Sequence, residues 1–242
     1  MNNYKLIIQY DGTEYAGWQY QKNEITIQQK IYEAIKTLTN ADVNLIGSGR
    51  TDAGVHALGQ VANFKSEKQI DLTKFLYSLN SILPKDISVL DIQEVNEEFH
   101  SRFNAKKRTY IYLISKHKSP FYERYSYFYY GALECDKLNS PSRALLGEHD
   151  FTSFCKKNSE TENKICTIFN AHWKETKGMI FFLIEADRFL HGMVRTIVGT
   201  LLHTYKSNLD ESYIKNIIAV KDREAAGESV PAKGLFLYKV KY

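Results

Sequence analysis

Cysteine is scarce in this chain. Cys135, Cys155 and Cys166 are an odd number with no Cys-x-x-Cys pair among 242 residues. That excludes a disulfide framework and a thiolate zinc site, and it fits a reducing, cytoplasmic compartment. Proline is scarce too, with four, and no Gly-, Ser- or Pro-rich linker lies near residues 98–106, in the middle of the chain; a flexible linker is not expected. No uncharged apolar run approaches the ~18 residues of a membrane span, so no membrane helix is expected. Residues 1–10 read as a strand without a small-residue cleavage site, so no signal peptide is expected either. Charge of one sign is not in large excess: 32 Lys and Arg face 28 Asp and Glu, a net +4. Such a balance permits a polyanionic partner without requiring one.

What the chain has in quantity is aromatic side chains, 13% of residues, with 17 tyrosines among them. Aromatics favour strands and sheet cores, and tyrosine tolerates a half-wet surface. A sheet-rich core accounts for most of them; stacking on nucleic-acid bases is the other use.

The patterning alternates strands and helices. Tyr4–Tyr10 is β-prone. Thr26 and Gln29 form a capping box, followed by Ile27, Ile31, Ala34, Ile35 and Leu38 at helical spacing. Short strands are expected at Val43–Ile46 and Gly59–Phe64. Asp71 caps a helix closed by Pro84, and Ile87–Val95 is a strand. The order β-α-β-β-α-β is that of a split βαβ, ferredoxin-like unit. The rest reads as a looser copy. Strands are expected at Arg108–Ile114, Tyr125–Tyr130 and Leu235–Val240, and a hairpin at Ile165–Trp173 and Met179–Ala186. Helices are expected near 137–146, 191–205 and 210–220. The fold class is therefore α+β. Two ferredoxin-like halves, residues 1–103 and 104–242, are expected to join through a mostly antiparallel sheet. Helices would lie on one side of it and a ligand cleft between the halves.

Three segments carry chemistry. Gly47–Gln60, GSGRTDAGVHALGQ, holds four glycines in fourteen residues, with Arg50, Asp52 and His56 among them. It is neither a phosphate-binding P-loop nor a dinucleotide fingerprint, and one Asp with one His is too small a set for a metal. Asp52 is a candidate nucleophile or base; it could also cap a turn through nearby amides. His56 has a structural reading as well as a catalytic one. The second segment, FLHGMVRTIVGTLLHTY from Phe189, has Arg195 as its one formal charge. Beside it runs an apolar stripe of Val194, Ile197, Val198, Leu201, Leu202 and Tyr205. A guanidinium there is expected to be partly buried and to need an anion, with Asp52 the candidate across the cleft; a snorkelling arginine at the rim is the alternative. The third runs from Ser101 to Tyr110. Lys106, Lys107 and Arg108 lead into a strand with Tyr110 and Tyr112 on one face. That suits a phosphate beside a stacked base, or equally a solvated turn followed by a core tyrosine. Lys156 and Lys157 are a further basic pair, read as RNA contacts or as a solvated surface.

Together GRTDAGVHA, FLHGMVRTIVG, KKRTYIY, LLGEHDFTSF, PAKGLFLYKVKY and YDGTEYAGWQ resemble the tRNA pseudouridine synthase A family, over nearly the whole chain. The resemblance implies an isomerase that breaks the bond between uracil N1 and ribose C1′, turns the base and rejoins it through C5. It implies no cofactor and no metal. The implied substrate is the anticodon stem-loop of tRNA, at positions 38–40, and the implied assembly is a cytoplasmic homodimer. Asp52 aligns with the family's catalytic aspartate, Tyr110 with its active-site tyrosine, and Arg195 with the arginine that pairs with the aspartate. Arg50 aligns with a loop arginine that helps displace the target base. Lys106, Lys107 and Arg108 would hold phosphates. Whether the carboxylate attacks C1′, adds to C6 or works through a glycal is open. Other readings are a family member acting on another RNA or position, a non-catalytic RNA-binding module, and an N-glycoside hydrolase that would release free uracil.

Overall fold

The computed structural model describes residues 1–157, 159 and 161–242. They form two compact units, Met1–Lys106 with Phe236–Tyr242, and Lys107–Leu235. The closing strand was expected in the second half. It sorts instead with the first unit, because Phe236 and Leu237 pair in parallel with His56 and Ala57.

The first unit runs β1 (Asn2–Tyr10), α1 (Ile27–Thr39), β2 (Ile46–Gly47), β3 (His56–Ser66), α2 (Leu72–Ile82) and β4 (Ile87–Val95), and the last strand joins it. β1 pairs antiparallel with both β3 and β4, and β2 pairs antiparallel with β3. The crossover from β1 through α1 to β2 is thus split by β3. Thr26 caps α1, its hydroxyl accepting from the Gln29 amide at 3.4 Å. Only half of the expected capping box forms. The Gln29 side chain donates to Glu33 one turn on, at 2.9 Å, where a carboxylate is the better acceptor. Asn40 ends α1 with φ 51°, a left-handed cap. Asp71 caps α2 by accepting from the Lys74 amide at 3.1 Å. Tyr4, Leu6, Ile8, Ile27, Ile31, Ile35, Phe64 and Leu79 fill the core, each 0% exposed.

Of the strand limits that differ from expectation, two have a local cause. β2 begins at Ile46, because the Leu45 carbonyl accepts from the Gln28 side chain at 2.8 Å rather than entering a ladder. β3 begins at His56, not Gly59. Gly59 is a strand residue, and a Cβ there would come within 2.5 Å of the Tyr238 carbonyl; the glycine marks a close approach of two backbones.

The second unit contains β5 (Lys107–Ser115), β6 (Tyr127–Phe128), α3 (Cys135–Ser142), β7 (Gly147–Asp150), β8 (Ile165–Thr176), β9 (Met179–Ala186), α4 (Met193–Lys206) and α5 (Glu211–Val220). β9 lies antiparallel between β5 and β8, and β7 borders β8. The last strand is β10 (Leu235–Lys241). β7 escapes sequence pattern, as a four-residue strand that opens on Gly147 at φ 96° carries no clear period. β9 alternates half-buried and buried side chains without a break, as an amphipathic strand should.

α4 starts at Met193, after Gly192 turns left-handed at φ 73°, two residues later than expected. It is buried around most of its girth. Thr196, Thr200 and Thr204 return their hydroxyls to the carbonyls of Gly192, Thr196 and Thr200. Internal bonds of this kind let a polar stripe be buried. The 226–230 segment lies on that stripe: Gly227 donates to Thr200 Oγ1 at 3.0 Å, and the Thr196 and Ser229 hydroxyls are 2.9 Å apart. A Cβ on Gly199 would fall 1.8 Å from the Glu228 carbonyl. No helix among the described residues is long and apolar enough to cross a membrane.

Candidate active site

In the first unit the glycine-rich segment is a turn between β2 and β3, and residues 10–18 hold it in place. The Tyr10 and Thr51 hydroxyls lie 2.8 Å apart, both buried. The Trp18 amide donates to the Thr51 carbonyl at 3.1 Å, and the Gly54 amide donates to the Tyr15 carbonyl at 3.3 Å. Val55 closes the turn by donating to the Asp52 carbonyl at 3.1 Å. Nearer β2, the wholly buried Gln60 accepts from the Ser48 hydroxyl at 2.6 Å and donates to the Gly49 carbonyl at 3.0 Å. Backbone groups on both sides of Asp52 are therefore tied down. Asp52 itself is half-buried and Arg50 is exposed.

Three glycines make the fit possible. Gly12 lies against Val55, where a Cβ would fall 2.1 Å from the carbonyl. Gly17, at φ 95°, lies against Thr51 and Asp52, and a Cβ would be 2.5 Å from the Thr51 carbonyl. Gly47 faces Trp18, where a Cβ would fall 2.5 Å from the indole nitrogen. Such contacts preorganise a carboxylate, because the loop is fixed before any ligand arrives. His56, 1% exposed, sits just beyond the turn with its ring stacked on Phe236, centroids 4.7 Å apart.

The second unit holds Tyr110 and Arg195. Tyr110 lies on β5 opposite Ile184, 8% exposed, its ring edge-on to Phe189 at 5.1 Å. Tyr112 shares its face two residues on and donates to the Pro231 carbonyl at 2.9 Å. Burial raises the Tyr112 pKa, and the Arg195 charge nearby pulls it partly back. Arg195 projects half-buried from α4. Its Nε donates to the Val230 carbonyl at 2.8 Å, and the Val230 amide returns to the Arg195 carbonyl at 3.2 Å. This reciprocal pair aims the guanidinium.

The three basic residues before Tyr110 differ in setting. Lys106 is exposed, its amide donating to the Lys241 carbonyl at 2.8 Å. Lys107 pairs with Glu185 at 3.0 Å and lies over the Phe169 ring at 4.2 Å. Arg108 Nη1 donates to the Asp187 carbonyl at 2.7 Å. Lys157 pairs with Glu224 at 2.7 Å, and Lys156 uses its amide on the His191 carbonyl. Among the described residues no three His, Cys, Asp or Glu side chains are grouped as a metal requires.

The model of a family described as tRNA pseudouridine synthase matches residues 6–104 and 142–242. The "tRNA pseudouridine synthase A" of Caldicellulosiruptor saccharolyticus is 45% identical over 100% of both chains. The protein of that name from Clostridium acetobutylicum is 43% identical, again over 100% of both. That of Bacteroides thetaiotaomicron is 42% identical over 100% of this chain and 91% of its own. The chain belongs to the tRNA pseudouridine synthase family. Its reaction is the isomerisation of uridine to pseudouridine in tRNA, and it is an isomerase.

For a tRNA pseudouridine synthase, the residues that sequence reasoning did not single out are supporting ones. Tyr10, Gly12, Gly17 and Gln60 fix the loop that carries Asp52, and Val230 aims Arg195. YDGTEYAGWQ stood out only as part of a resemblance. Its two glycines beside aromatic residues are the signal of a close-packed turn that could have found it.

Proposed function

We propose that this chain modifies uridines of the anticodon stem-loop, as a cytoplasmic homodimer of two ferredoxin-like halves with the active site between them. Asp52 is the nucleophile, Arg195 its counter-charge, Tyr110 the ring that braces the extruded uracil, and Arg50 the side chain that assists extrusion. The N1–C1′ bond breaks, the C5–C1′ bond forms, the C5 hydrogen leaves to solvent as a proton and N1 takes up a proton from solvent; the bond that the Asp52 carboxylate makes to the substrate is broken before the product leaves. Flipping a stacked uridine out of its helix costs a few kcal/mol, and the exposed Arg50, two residues before Asp52, is assigned that part. The antiparallel order β4-β1-β3-β2 of the first unit supports the ferredoxin-like reading.

The observation that carries the proposal is the Asp52 turn, whose adjoining carbonyls and amides are tied to residues 15–18 while the carboxylate stays half-buried. The test is tritium release from tRNA labelled at uridine C5, with the modified positions mapped in the product. Asp52→Asn should lower release by at least about a thousandfold and leave tRNA affinity within about twofold, since phosphate contacts dominate affinity. Retained turnover removes Asp52 from the mechanism; product outside the anticodon stem-loop removes the assigned substrate site.

A further inference from the structure

His56 is a buried residue at the start of β3, directly after the turn that carries Asp52. Its Nδ1 lies 3.1 Å from the Gly12 amide, which donates to it, and 3.1 Å from Asp11 Oδ1. One nitrogen cannot serve both neighbours at once: toward the amide it must be an acceptor, toward the carboxylate a donor. The Gly12 hydrogen bond requires the neutral ring with its proton on Nε2. Asp11 Oδ1 already accepts from the Thr13 amide at 3.0 Å and from the Thr13 hydroxyl. That Asx turn holds the carboxylate in place without a proton from His56.

The contacts run on from there. Gly12 is pressed against Val55, where a Cβ would stand 2.1 Å from the carbonyl, and the Val55 amide donates to the Asp52 carbonyl at 3.1 Å. The Asp11 amide is anchored on the Asp86 carbonyl at 2.9 Å, and Phe236 stacks on the imidazole. We infer that His56 is a positioning residue for Asp52: its Nδ1, as acceptor, holds the Asp11–Gly12 turn against Val55 and so sets the height of the carboxylate. His56 touches no reacting atom in this role. The inference rests on the reading of Asp52 as the catalytic carboxylate.

The three side chains that discriminate differ in where they place an acceptor. Asparagine puts its carbonyl oxygen near the Nδ1 position, glutamine puts it near Nε2, and leucine keeps volume without an acceptor. Steady-state tritium release is measured for His56→Asn, His56→Gln and His56→Leu beside Asp52→Asn, with thermal melts of each. A misplacement of about 1 Å costs on the order of a hundredfold in rate. His56→Leu should therefore lose about 10- to 100-fold in kcat, with KM for tRNA within about twofold. His56→Asn should return to within about fivefold of the parent, and His56→Gln should not. If His56→Leu does not fold, the Asn and Gln pair decides alone. The inference is overturned if Asn is as impaired as Gln, if kcat is unchanged while KM rises, or if the rate losses simply follow the melting temperatures. An active Asp52→Asn sinks the parent reading instead, whatever His56 does.

Discussion

The hydroxyl of Tyr10, at the end of β1, sits 2.8 Å from that of Thr51, one residue before the catalytic candidate, and both are buried. The bond ties the sheet to the turn. Burial raises the tyrosine pKa well above its ordinary value, so the phenol stays protonated. Tyr10→Phe leaves the Thr51 hydroxyl buried without this partner, at a cost of about 1–2 kcal/mol. Adding Thr51→Val should recover part of that cost, a coupling of about 1 kcal/mol measurable by urea unfolding of the double-mutant cycle. Additive losses would show that the pair does not hold the turn.

Gly17 is constrained twice, by φ 95° and by the Thr51 carbonyl 2.5 Å from its missing Cβ. Gly17→Ala should cost roughly 2 kcal/mol or more and slow turnover at least tenfold, because the strain falls on the Asp52 turn. The control is Gly178→Ala. There φ is 86°, but the nearest atom is the far end of the His117 ring at 3.3 Å. It should cost about 1 kcal/mol and leave the rate unchanged. Equal rate losses in the two variants would remove the proposed link between loop fit and turnover.

Tyr110 packs edge-on to Phe189. Tyr110→Phe keeps that contact and the ring face proposed to brace the extruded base. Tyr110→Ala opens a cavity costing about 3–5 kcal/mol. Single-turnover rates should fall less than about fivefold for Phe and more than about a hundredfold for Ala. Equal losses would assign the function to the hydroxyl.

The basic run separates into residues of different use. Lys107 is already committed to Glu185 and the Phe169 ring, while Lys106 is exposed. Lys106→Ala should lower the slope of log affinity against log salt by about 0.7–0.9, the share of one phosphate contact. Lys107→Ala should leave the slope unchanged and weaken folding instead. Filter binding at several salt concentrations reads both.

Alkaline pH should destabilise the fold. Burial pushes the Cys166 thiol from 9.0 up to about 12, and raises Tyr10 and Tyr112 above the ordinary tyrosine value. A raised folded-state pKa means that the native state holds a proton the unfolded chain has released. Stability from these groups is therefore intact below pH 9 and is lost as pH climbs toward 12, at most about 1.4 kcal/mol per group and pH unit. Urea midpoints at pH 8 and pH 10.5 check the sign. A midpoint that rises with pH contradicts it.

Much of the architecture was legible from local pattern. The β-α-β-β-α-β order of the first unit follows from caps at Thr26 and Asp71 and from apolar periodicity, signals that act within one or two turns. The start of β3 was misplaced because Gly59 looks like loop punctuation. It is glycine for the sake of Tyr238, some 180 residues away in sequence. β7 was missed because its pairing with β8, not its composition, makes it a strand.

The same division runs through the site. Residue chemistry and motif spacing in the chain alone singled out Asp52, Arg50, Tyr110 and Arg195, since a carboxylate on glycines and one charge on an apolar helix are visible in one dimension. Only the folded chain decided what holds them: residues 10–18 against the Asp52 turn, and Val230 on Arg195. Those partners are chosen by backbone hydrogen bonds and by the room that a missing Cβ leaves. Neither quantity exists until distant segments are packed together.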